Sequence, residues 1–221
     1  MKKFAIISLL VSICSIDSTN AFAYSPCGEK NIGKPHINGG GFVENTASVA
    51  DTVFVDKTAV VCSKAKIVDN VVIKGNVLIT GRPYLEKNAV IAENALITGD
   101  AFITDHAEIS GDSTVTGRAT ISGYAQITDD TTVTGDTTVT DHTHVWGDAT
   151  ISGFTYVYEN ASVSGDTQIR EHAVIGGNAK ISGDAIVRNQ ASVTGTAEVC
   201  GSAVIDGHTS LTEGKYCPEK K

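Results

Sequence analysis

One aliphatic residue recurs every six positions, without a single insertion or deletion, from Gly41 to Gly214. This span holds 29 hexads, and the third position of each is Val, Ile or Leu, from Val43, Val49 and Val55 to Val199, Ile205 and Leu211. A strict period of six excludes an α-helix, whose apolar positions recur at three and four. It also excludes a flat antiparallel sheet, which needs hairpin turns between longer strands.

The other hexad positions explain why the aliphatic one works. Alternate residues of a short strand face opposite sides, so position three points inward while positions two and four point to solvent. Position one is Ala in 17 hexads, Thr in 6 and Val in 3, with Gly41, Pro83 and Ser113 in the remaining three. These are mostly small side chains that fit inside a tight corner. Position five is Gly in 15 hexads, and glycine permits the positive φ that a sharp turn needs. A single hexad cannot bury its own aliphatic residue. Stacked coils can, and they produce one continuous core.

This pattern resembles the bacterial hexapeptide-repeat family, and it does so over residues 41–214. The resemblance implies an all-β fold, a single-stranded left-handed parallel β-helix in which three hexads form a triangular coil of 18 residues. The left hand comes from the resemblance alone, against the usual right-handed crossover. Almost ten coils follow, a prism roughly 46 Å long at one strand spacing per coil. The opening His36-Ile-Asn-Gly-Gly-Gly-Phe42-Val43 is similar to that of non-catalytic secreted members of the family.

The ends carry other signals. Lys2 and Lys3, the apolar run from Phe4 to Ile13, and Ala21-Phe22-Ala23 form a signal-peptide pattern over residues 1–23. The apolar run is too short for a membrane anchor. Cys14 follows Ile13, where a lipoprotein signal needs a small residue. Residues 24–40 are then an N-terminal cap over unpaired strand edges, and 215–221 a C-terminal tail. Four cysteines remain in the exported chain, Cys27, Cys62, Cys200 and Cys217. An even number in an exported protein points to disulfides. Cys62 and Cys200 lie more than seven coils apart and cannot meet. Pairing Cys27 with Cys62 and Cys200 with Cys217 joins each end to its nearest coil; four free thiols are the alternative.

Residues 18 apart stack, so the surface can be read as columns. Asp112, Asp130, Asp148, Asp166 and Asp184 share a corner, preceded by Asn76 and Asn94. They form either a weak Ca²⁺ row or ordinary turn residues, and no other cofactor is expected. Thr114 and Thr116, Thr132 and Thr134, and Thr150 and Ser152 form ranks on one face, extended by Thr80 and Thr98 and ended by Arg170 and Arg188. Such ranks resemble those of ice-binding β-helices, although Thr also simply favours strands. The coil 143–160 concentrates His144, Trp146, Phe154, Tyr156 and Tyr158, including the only Trp. Exposed aromatics on a rigid surface suit contact with a sugar or a protein. Trp146 faces a different side from the tyrosines, making a belt, and Phe154 at the corner adjoins the tyrosine pair. His106 and His142 flank Tyr124 along one corner, and His172 and His208 flank Gln190 along another. Two coils separate each histidine pair, too far for one metal ion.

A formal net charge of -8 argues against nucleic acid and anionic membranes as partners. Many enzymes of the resembling family are acyltransferases, with a loop projecting from the prism beside an inter-subunit pocket. Here 29 hexads run without such a loop, and no Ser-His-Asp or Cys-His constellation can be placed. The sequence therefore points to an exported, non-catalytic structural or surface-binding protein, periplasmic or secreted. An acyltransferase and an ice-binding protein are the alternatives, and the oligomeric state stays open.

Overall fold

The computed structural model describes residues 26–28 and 32–218. The signal-peptide pattern at 1–23 lies outside them. The chain is a left-handed parallel β-helix of about ten turns, with short strands, two residues each after the first two, on three flat faces. Face 1 is an 11-stranded sheet from Gly33–Pro35 and Phe42–Glu44 to Val204–Ile205. Face 2 has 10 strands, from Ser48–Val49 to Ser210–Leu211. Face 3 has 10 strands, from Phe54–Val55 to Lys215–Tyr216.

Each strand pairs in parallel with the strand three hexads on. Ile109 aligns with Ile127, Ile127 with Val145 and Val145 with Val163. The third-position side chains from Val55 to Val199 are at most 1% exposed. The backbone follows the same period, so the amide of Thr132 donates to Ala149 and that of Gln126 to Thr143. Each coil thereby satisfies the polar backbone of its neighbour.

The first strand, β1 (Gly33–Pro35), runs antiparallel to Phe42–Glu44. It covers one strand edge that the first coil would otherwise expose. The turn between them closes with His36 N donating to Gly41 O at 2.7 Å, and Gly39 and Gly40 adopt φ of 107° and 83°. Two disulfides hold the ends. Cys27 is bonded to Cys62 and Cys200 to Cys217, with Cα–Cα distances of 5.6 and 4.5 Å.

Two details go beyond the hexad pattern. The interior of the middle coils is partly polar, since Ser113, Thr131, Thr137, Thr143, Thr155 and Thr167 are all buried. Thr131 and Thr137 donate their hydroxyls to the carbonyls of Thr128 and Thr134, each at 2.7 Å. Position five also tolerates positive φ without glycine, as at Asp69, Glu93, Asp105, Asp129, Asp141 and Glu171. A left-handed non-glycine residue is normally strained. Here each carboxylate accepts the backbone N–H one coil further on, that of Lys87, Gly111, Gly123, Gly147, Glu159 and Asn189 respectively. The acid offsets the strain by satisfying a donor for which the coil stack has no carbonyl.

Candidate functional site

The three corners carry different chemistry because each stacks a different column. On the corner between faces 2 and 3, the rings of His106, Tyr124 and His142 stack at centroid distances of 4.8 and 5.1 Å. Tyr124 thus fills the gap between the two histidines. On the corner between faces 3 and 1, the Asn76 amide donates to Asn94 at 3.2 Å and Asn94 to Asp112 at 2.8 Å. Asp112, Asp130, Asp148 and Asp166 follow as exposed residues, and Asp184 as a half-buried one.

The corner between faces 1 and 2 is built from pairs. Arg82 forks onto Asp100 at 2.9 and 2.7 Å, and Arg118 forks onto Asp136 in the same way. The next pair in the column is aromatic. Phe154 stacks on His172, with ring centroids 5.2 Å apart and planes within 14°. Phe154 therefore rests on His172, one coil further on, as well as lying beside the tyrosine pair in sequence. Phe154 is 60% exposed.

The rest of the aromatic group divides between two faces. His144 and Trp146 pack together on face 3 at 4.3 Å. Partial burial holds the His144 imidazole below its ordinary pKa, against a smaller opposing pull from Asp129. Tyr156 and Tyr158 stack on face 2 at 4.8 Å. The Tyr158 ring lies over Gly176, where any side chain would collide with it. A glycine just after the strand Val174–Ile175 makes room for a flat ring that covers it.

Beside Phe154 the corner opens into a shallow groove lined by Ser152, Gly153, Phe154, Arg170, Glu171, His172 and Asn189. The sequence shows Arg170 and His172 in their columns but does not join them to the aromatics, because they sit one coil further on. Glu171 Oε2 accepts the Asn189 amide at 2.8 Å. Arg170 Nε is shielded from solvent and has no hydrogen-bond partner. The groove combines an exposed apolar ring wall with an unpaired guanidinium donor, and amide, hydroxyl and carboxylate groups surround them.

The threonine ranks are in register. Thr114, Thr132 and Thr150 pair in succession, bounded by Leu96 and Gln168. Among the described residues, two groups bring three potential metal ligands together: Cys27, Cys62 and Glu44, and Cys200, Cys217 and Glu198. Both pairs of cysteines are disulfide-bonded, so neither supplies a thiolate. No described helix is long and apolar enough to cross a membrane.

The fold defines the class, a disulfide-stabilised hexapeptide-repeat β-solenoid. No protein-family model matches the sequence, and no curated protein matches it either.

Proposed function

We propose that this chain is an exported, non-catalytic rod that presents a binding surface in the envelope or the extracellular space, whether periplasmic or secreted. In this reading it is closer to the non-catalytic secreted members of the hexapeptide-repeat family than to the acyltransferases. The observation that carries the proposal is the clustering of exposed rings on a rigid scaffold. Phe154 and Tyr156 are 60% and 41% exposed on adjoining surfaces of one coil, and Tyr158 is seated beside them over Gly176. A stable fold does not need large rings in solvent, and a rigid aromatic surface binds with little loss of side-chain freedom. Two disulfides fit an oxidising compartment. The Asp112–Asp184 corner plays a structural part, with at most weak, reversible Ca²⁺ occupancy.

The test is co-sedimentation of the mature protein with isolated envelope and extracellular polymer fractions. The wild type is expected to sediment, and the triple variant Phe154→Ala, Tyr156→Ala, Tyr158→Ala to stay in solution with an unchanged circular dichroism spectrum. Equal sedimentation of the two overturns the aromatic surface. Turnover of acyl-CoA by a tight trimer would replace this reading with a transferase. Thermal hysteresis in ice would replace it with an ice-binding protein that uses the Thr114–Thr150 rank.

A further inference from the structure

The arginines follow a rule with one exception. The chain has four, Arg82, Arg118, Arg170 and Arg188. Three of them bind an aspartate one coil further on: Arg82 with Asp100, Arg118 with Asp136 and Arg188 with Asp206. The residue one coil beyond Arg170 is Arg188, and the residue one coil before it is Ser152. Arg170 therefore has no carboxylate one coil away on either side, and its shielded Nε has no partner. A guanidinium offers donors in a planar fork that matches a carboxylate. The missing group is the one that Asp100, Asp136 and Asp206 supply elsewhere on the same rod.

That vacancy in the pattern lies in the groove beside the exposed face of Phe154. Stacking on His172 holds the Phe154 ring in place. A flat apolar wall next to an unpaired fork suits a ligand with a carboxylate at one edge of a ring and C–H groups on its face. We propose that this groove is a subsite for a carboxylated sugar, a uronic acid within a glycan. The carboxylate pairs with Arg170, the pyranose face lies on Phe154, and Ser152 and Asn189 meet ring hydroxyls. This inference rests on the surface-binding reading and names its ligand class.

The backbone favours a sugar over an extended peptide. The amides of Ser152, Phe154, Arg170 and His172 all donate to the next coil, to Ile169, Glu171, Val187 and Asn189. The groove thus has no free strand edge for a peptide to extend, and recognition falls to side chains. The charges facing the groove are balanced. Arg170 and Glu171 line it with one charge of each sign, and Asp206, two coils beyond Arg170, is already engaged by Asn189 and Arg188. Binding then depends on the short-range fork and should change little with salt, unlike capture by a positive field.

The experiment is calorimetric titration of the mature protein with a galacturonate oligosaccharide, its carboxyl-reduced galactose counterpart, and an oligo-glutamate of equal charge. The account expects binding of the uronate oligomer, with at least tenfold weaker binding of the other two. Arg170→Gln and Phe154→Ala should each lose tenfold or more, and Arg170→Lys an intermediate amount. Arg118→Gln, which removes an already paired arginine, should bind as the wild type does. Equal affinity for the uronate and neutral oligomers overturns the role of Arg170. Equal affinity for oligo-glutamate overturns the sugar assignment. No binding of the uronate oligomer by a wild type that still sediments with envelope fractions overturns this subsite alone. Loss of sedimentation as well overturns the broader reading.

Discussion

Two grooves on this rod invite comparison. One lies on the corner between faces 2 and 3, lined by residues that include Asp69, Asn70, Lys87 and Asn88. The other holds Phe154 and Arg170. Both arise because stacked triangular coils leave a shallow furrow beside a corner. In the first, polar groups pair with one another. Lys87 Nζ binds Asp105 at 2.6 Å, Asp69 accepts the Lys87 amide at 3.0 Å, and Asn70 donates to Asn88 at 3.5 Å. In the second, the main cationic donor is unpaired and a large ring faces solvent. A concave surface is therefore common to both, while unused binding capacity belongs to the second.

Several changes should sharpen this contrast or break it. The largest concerns the N-terminal disulfide, which secures the coils around the first groove. The variant Cys27→Ser, Cys62→Ser should lose about 2–4 kcal/mol. Hydrogen exchange should rise first in the coils near Asn45 and Ser63 and leave those around Phe154 protected. Equal exchange along the rod would contradict the stacking of independent coils.

Asp69→Ala should cost about 1–2 kcal/mol in a urea melt, because it leaves the Lys87 amide without an acceptor and places Ala at positive φ. Arg170→Gln should be neutral within about 0.5 kcal/mol, since the shielded Nε it removes has no hydrogen-bond partner. Equal losses would erase the distinction between the grooves. The fifth-position rule supports the same logic. Gly117 has φ of 74°, and a Cβ there would lie 2.7 Å from the Gly135 nitrogen. Gly117→Ala should cost about 1–3 kcal/mol. Gly117→Asp should cost less, because its carboxylate can accept the Gly135 amide as Asp105 accepts that of Gly123.

The pH effects should be smaller. Asp105 is held below the ordinary carboxylate range, mainly by Lys87 and next by the Gly123 amide. This stabilisation is complete above the unfolded carboxylate pKa of about 4 and fades as pH falls through the lower folded value. His144 has a depressed pKa because of burial. Its neutral form is favoured in the fold, so stability should decline slightly as pH falls from about 6.5 towards the folded pKa. His144→Gln should remove that slope from thermal melts between pH 7 and 5. Removing Ca²⁺ with chelator should shift the melting temperature by about 1 °C at most, given solvated carboxylates at one corner.

The fold was legible because its signal is redundant. The aliphatic column repeats in every hexad, so no single residue carries the inference. The handedness was not written in the hexad and came from the family resemblance. The acids at position five were less legible than the row at position six. Asp112 to Asp184 form a visible column, whereas Asp69, Asp105 and Asp141 alternate with Lys87, Gly123 and Glu159. Their role appears only when each carboxylate is matched to an amide one coil away. The aromatic group was visible as a concentration of rings within coil 143–160. Arg170 was visible only as the end of a threonine rank. Its meaning depends on the shielded, unpartnered Nε and on the groove beside Phe154, which composition and motif spacing do not reveal.

The most direct test of the central claim is an amide chemical-shift titration of isotope-labelled mature protein with the galacturonate oligosaccharide. The account predicts shifts confined to Ser152–Phe154, Arg170–His172 and Asn189, with the Asp69–Asn88 groove unmoved. Shifts centred on Asp69 to Asn88, or spread evenly over all three faces, would contradict it.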